Sequence, residues 1–234
     1  MNSQKIETTP QTGSDPEPAA LTEDLALSLL NDRDLAAEDL DAILSSSALM
    51  KSRKVRLGVA GHPHTPRRIA LRLIRESYTF DLMQFSHTPA VPADLKRFAE
   101  EQLVARLASV TLGERIALAR RCSDVVAAAL LLDKHVRVWQ TALENPRLTE
   151  AAITKAMQRP HATPAFVEAV CHHPKWSLRS EIRLALLRSP HTPLACAIQF
   201  ARRIPPAQLR DILHASRLPE RIKEYLRKGP RAGK

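Results

Sequence analysis

The chain has 234 residues, 44% hydrophobic but only 4% aromatic, and a net charge of +10. Leu and Ala dominate the apolar content, and six glycines are too few for many tight β-turns or phosphate-cradling loops, so composition favours helices. Three scattered cysteines, Cys122, Cys171 and Cys196, argue against a disulfide framework, and no stretch reaches the roughly 18 apolar residues of a membrane span.

Residues 1–20 (MNSQKIETTPQTGSDPEPAA) are polar and acidic without apolar periodicity, which predicts a disordered tail with no secretory h-region and a cytoplasmic protein. Residues 21–50 predict an acidic helix pair, a candidate N-terminal cap for a helical array. Thr22 is placed to cap a helix containing Leu25, Leu27, Leu29 and Leu30, and Asp34 to cap a second containing Leu35, Leu40, Ile43 and Leu44.

From Lys51 to residue 228 one device recurs: a short helix, a turn built around proline, another short helix. The turns read GHPHTPRR (61–68), FSHTPAVP (85–92), ENPRLTEA (144–151), QRPHATPA (158–165), CHHPKWSL (171–178) and RSPHTPLA (188–195). Four contain Thr-Pro, at Thr65, Thr88, Thr163 and Thr192, a pair that suits a helix start because the hydroxyl accepts a free N–H and proline loses no bond at the first helical position. Pro146, Pro160, Pro174 and Pro190 are 14, 14 and 16 residues apart, giving a period of 28–30 per helix pair. Such short amphipathic helices must stack to bury their apolar faces, so the expected fold is all-α, an α-solenoid of proline-punctuated hairpins.

The middle segment, 94–143, is less regular. It predicts a longer helix over 94–108 and a capping box at Thr111 and Glu114. Ser123 is then placed to cap VVAAALLL, a helix apolar all round and so expected to be sandwiched inside the array. Pro205-Pro206 and Leu218-Pro219 open two last short helices, and 229–234 reads as a frayed basic tail.

The segments ALENPRLTEAAITKAM (142–157) and PKWSLRSEIRLALLRSPHTPLACAIQFARRI (174–204) resemble an uncharacterised bacterial class of α-helical repeat proteins and, more loosely, leucine-rich-repeat-variant and HEAT-like solenoids. The closer similarity spans about 110–228, and its NPRLTE and RSPHTP motifs are specific for turn architecture rather than chemistry. The resemblance implies a right-handed, HEAT-like superhelix. Leucine-rich-repeat-variant proteins can carry an amino-terminal iron–sulfur module, but no cysteine precedes Cys122, so that function does not carry over and no cofactor is expected.

Charge bears most on function. Residues 1–50 hold two basic residues against ten acidic ones, a net of −8. The remainder holds 33 basic residues, 24 of them arginine, against 15 acidic ones, a net of +18. That exceeds the ~2–8 units that keep a small domain soluble, and a curved array displaying it would attract an acidic protein segment or nucleic acid. The candidate binding residues are Arg68, Arg72 and Arg75 on one helix side, the pairs Lys155/Arg159 and Arg179/Arg183, and the doublets Arg120-Arg121 and Arg202-Arg203 near helix ends. They suggest a non-enzymatic interaction scaffold with a basic concave face, over which the acidic residues 1–50 could fold and compete with the partner.

The alternative is a DNA-acting enzyme of the HEAT-like glycosylase type, for which Asp124, Asp133 and Trp139 are the central candidates. No nucleophile elbow, GxGxxG or GxxxxGK[ST] occurs. The recurring His64, His87, His161 and His191 lie too far apart for metal-ligand spacing and are expected to serve the turns, while Trp139 and Trp176 are expected to plug the core.

Overall fold

The computed structural model describes residues 21–228, so the tails expected at 1–20 and 229–234 lie outside the described residues. Within that span the chain is all-helical, with fifteen α-helices, one 3-10 turn at Leu49–Lys51 and no strand. The acidic head forms α1 (Glu23–Leu29) and α2 (Ala37–Ser45). The basic body forms α3 (Arg53–Gly61), α4 (Arg67–Glu76), α5 (Thr79–His87), α6 (Ala93–Arg106), α7 (Leu112–Arg121), α8 (Asp124–Leu130) and α9 (Val136–Leu143). It continues with α10 (Glu150–Met157), α11 (Pro164–His172), α12 (Ser180–Arg188), α13 (Leu194–Ala201), α14 (Pro206–His214) and α15 (Glu220–Lys228).

Helices of seven to fourteen residues are too short to persist alone, so packing must hold them. They pack on second neighbours as well as adjacent helices, which sorts them into two rows. In the even-numbered row the contacts α4–α6–α8–α10–α12–α14 run unbroken. In the odd-numbered row α1, α3 and α5 form one run, α7, α9 and α11 another, and α13 and α15 a third. One Leu- and Ala-rich core extends from Ala26 to Leu226 between them.

The turns explain the period. At seven of them the side chain of one residue accepts the N–H two residues on: Asp32, His62, Asp133, Asn145, His173, Ser189 and Ser216. In four of these the intervening residue is proline, which has no N–H of its own to place. Several of the same residues also reach one helix pair back. His62 Nε2 donates to the Asp32 carbonyl at 2.8 Å, Asn145 Nδ2 to Ala119 at 2.8 Å and Ser216 Oγ to Leu187 at 2.6 Å. These bonds span 30, 26 and 29 residues, a ladder that ties a turn to the chain one helix pair before it.

Three local expectations are corrected. Of the four Thr-Pro hydroxyls, Thr163 alone caps the next helix, accepting from the Phe166 N–H. Thr65 and Thr192 instead donate back six residues, to the carbonyls of Val59 and Leu186 at 2.6 Å, and Thr88 donates to Gln84. Each adds a bond to a carbonyl in the last turn of the preceding helix, and those of Val59 and Leu186 also accept the N–H of the C-cap residue, His62 and Ser189. Asp34 does not cap α2, whose N-cap is Ala36; its N–H is held by Asp32. Ser123 precedes α8 but makes no capping bond, and α8 is not sandwiched: Val125 is 50% exposed while Val126, Ala127 and Leu130 are buried. The helix is apolar all round, yet its neighbours cover one side of it.

Residues 21–50 of the acidic head contribute to the core. Ala26, Leu35, Leu40, Ile43 and Leu49 are buried in the continuous cluster, and α1 packs on α3. Its carboxylates Glu38, Asp39 and Asp41 face outward.

Candidate functional site: a groove on the even-numbered row

The structure distributes the eleven candidate cations over both rows. Arg68, Arg72 and Arg75 are exposed along α4, with the Arg75 guanidinium 5.4 Å from the centre of the Phe98 ring of α6. Lys155 and Arg159 are exposed at the end of α10, Arg179 is the N-cap of α12, and half-buried Arg183 in α12 donates to the Leu178 carbonyl. All seven belong to the even-numbered row, although α6 and α8 separate the α4 set from the others. Arg120 and Arg121 close α7, and Arg202 and Arg203 follow α13, both odd-numbered helices.

Among the described residues, Arg179 alone of the eleven has a carboxylate within 4.0 Å: its Nε lies 3.4 Å from Glu150 Oε1. The other arginine–carboxylate pairs are made by Arg53, Arg56, Arg67, Arg115 and Arg227, none of them singled out from sequence.

What brings two of the candidates to a recognisable site is the open side of α8. A cavity of about 530 Å³ lies between α6, α8 and α10. Val125, Ala128, Ala129 and Leu132 line it from α8 and its C-terminal turn, Ala152 and Ala156 from α10, and Lys155 and Arg159 stand at its α10 edge. Val104 of α6, 36% exposed, lies opposite. The repeated alanines matter because small side chains let an incoming segment approach the helix backbones closely. Asp124 also lines the groove, but its two carboxylate oxygens accept from the Thr149 N–H at 2.9 Å and the Thr149 hydroxyl at 3.2 Å. On the other side of Lys155 a shallower depression between α10 and α12 includes Glu150 and Glu181.

The apolar residues of this groove did not stand out in the sequence. The signal was present, since VVAAALLL has more apolar surface than its position can bury, but a helix hydrophobic on every side reads first as interior.

The residues weighed for catalysis have structural engagements. Asp133 Oδ2 lies 3.1 Å from Arg115 Nε in a pair whose side chains are 11% and 10% exposed. Trp139 stacks edge-on against Phe166 with ring centres 5.8 Å apart, and Trp176 donates its indole N–H to the Leu143 carbonyl at 2.8 Å. The three thiols are free and buried. Burial pushes the Cys122 thiol up to about 12 and also raises that of Cys171, with neighbouring Cys196 adding to the effect at Cys171. Among the described residues no cluster of three or more His, Cys, Asp or Glu side chains is placed to hold a metal, and no helix is long and apolar enough to cross a membrane.

Compared with family models, curated proteins and solved structures, the chain matches none of them significantly.

Proposed function

We propose that the protein is a non-enzymatic interaction scaffold, a right-handed HEAT-like α-solenoid, that holds an acidic protein segment in the groove between α6, α8 and α10. The observation that carries this reading is the pairing of an exposed apolar floor, which includes Val125, with two cations, Lys155 and Arg159, that have no carboxylate within 4.0 Å among the described residues. A segment with apolar residues on one side and carboxylates on the other matches both features. A nucleic-acid backbone would engage the cations and leave the valine and alanine floor without a partner.

The test is fluorescence anisotropy with a labelled acidic amphipathic peptide, and in parallel labelled single-stranded and duplex DNA, beginning at ~50 mM salt where phosphate contacts are strongest. The peptide is expected to bind. Lys155→Glu with Arg159→Glu, and separately Val125→Asp, should each weaken it by about tenfold or more, equivalent to ~1.4 kcal/mol. Loss of phosphate contacts would instead show as about one log unit in K per log unit of salt for each contact, and DNA binding with that slope, insensitive to Val125→Asp, would replace the protein partner with nucleic acid. Peptide affinity unchanged in both groove variants removes this site.

A further inference from the structure

A second cavity, of about 470 Å³, lies on the odd-numbered row, where α1, α3 and α5 meet the loop before α6. Its construction differs from that of the first. Its floor is the surface of α3 at Leu57, Gly58 and Gly61, and its walls include Leu30 at the end of α1 and Phe85 of α5 with Val91 beyond it.

The glycines are the reason the walls stand where they do. A Cβ added at Gly58 would lie 3.0 Å from Leu30 Cδ1, and one at Gly61 would lie 2.9 Å from Val91 Cγ2. Each glycine in a helix costs roughly 1 kcal/mol relative to alanine, and two occur here within four residues of one nine-residue helix. They let α1 and the 88–91 loop close onto the backbone of α3.

The rim carries charge of one dominant sign. Arg33, Arg53 and Lys54 line the cavity against a single carboxylate, Asp81, which lies 4.0 Å from Arg53. The Arg53 guanidinium also sits 5.2 Å from the centre of the Tyr78 ring, which holds it beside the opening. Arg33 and Lys54 have no carboxylate within 4.0 Å among the described residues. His62, also in the lining, is occupied by the Asp32 carbonyl and the His64 N–H. An apolar chamber with cations gathered at its rim, and a volume within the ~300–1,000 Å³ range of small-molecule sites, is complementary to a molecule of matching polarity.

We infer that this cavity binds a small amphiphilic organic anion, with its acidic headgroup at Arg33, Arg53 and Lys54 and its apolar body against Leu30, Leu57 and Phe85. Guanidinium groups take carboxylate and phosphate oxygens with similar geometry, so the shared requirement is an anionic headgroup on an apolar body. The site lies on the other row from the groove between α6, α8 and α10, and neither assignment depends on the other.

The probes are decanoate, decyl phosphate and decyltrimethylammonium, titrated into the full-length protein by calorimetry and by amide NMR. Both anions are expected to bind and to shift the amides of Gly58, Gly61 and Phe85. The cation, with the same apolar body, is expected to bind at least tenfold more weakly. Arg53→Glu with Lys54→Glu should lower anion affinity by about tenfold or more, as should Arg33→Glu, which touches no described carboxylate and so serves as the variant least exposed to a folding defect. Gln84→Trp, at an exposed position on the α5 wall, should block all three probes by filling the mouth. Equal affinity for cation and anions, anion binding undiminished in the charge-reversed variants, or no binding of either anion at millimolar concentration overturns the assignment; Lys155→Glu with Arg159→Glu should leave it untouched.

Discussion

Asn145 Nδ2 donates to the Ala119 carbonyl oxygen at 2.8 Å, fastening the turn after α9 to the last turn of α7, 26 residues back, and the asparagine has no solvent exposure. The same amide reaches the Cys122 carbonyl at 3.1 Å, and its oxygen accepts the Arg147 N–H at 2.8 Å. One side chain thus shapes the turn between α9 and α10 and fastens it to the end of α7.

Asn145→Ala leaves two buried carbonyls and an N–H without partners. At ~1–3 kcal/mol for each unsatisfied buried group, a loss of about 3 kcal/mol is expected, read as a fall in the denaturant midpoint with little change in slope. Asn145→Asp should be at least as damaging, because it turns an acceptor toward two carbonyl oxygens. A loss below about 1 kcal/mol for both variants would show that the ladder does not hold the array.

Arg115 and Asp133 form the most buried ion pair among the described residues. The Arg115 Nε, 3.1 Å from the carboxylate, is out of line for a hydrogen bond, while Nη1 reaches toward the Leu107 and Val110 carbonyls at 3.5 and 3.4 Å. Removing either partner strands the other's charge, so Arg115→Met or Asp133→Asn should each cost roughly 3–5 kcal/mol. The double variant is expected to be less destabilised than the sum of the singles, and a double-mutant cycle by chemical denaturation measures the difference.

The thiols should be inert in the folded protein. Burial holds the Cys122 thiol at about 12 and raises that of Cys171 too, and thiolate is the reactive form, so raising the pH to 8 leaves almost none of either ionised. Labelling with iodoacetamide at pH 8 is expected to modify neither in native protein and both in denaturant. Native labelling at the unfolded rate would mean that α7 or α11 opens readily.

The acidic head can be tested for competition with the acidic partner only if the core is left whole. Deleting residues 1–50 removes Leu35, Leu40, Ile43 and Leu49 from the core and should destabilise α3 and α4. Replacing exposed Glu38, Asp39 and Asp41 with their amides keeps those contacts and removes three negative charges. If the head competes, peptide affinity in the anisotropy assay rises in this variant; unchanged affinity removes the competition.

Much of the architecture was legible because its causes are local. Proline and the polar residue before it fix four of the turns, apolar spacing fixes the helices, and the capping box at Thr111 and Glu114 forms as its residue types require. Roles that depend on a partner elsewhere were not legible. Thr65 and Thr163 look alike in sequence, yet one ties the helix before it and the other caps the helix after it.

The sequence by itself determined that the chain is helical, that Pro146, Pro160, Pro174 and Pro190 recur at 14 to 16 residues, and that its net positive charge lies beyond residue 50. The tertiary structure decided which row each arginine joined, that α8 keeps one apolar side open, and that Gly58 and Gly61 bring three elements together around a cavity. The division has a physical origin. Helix and turn signals act over a few residues, whereas exposure depends on which helices, some 25–30 residues away, come to cover a given side.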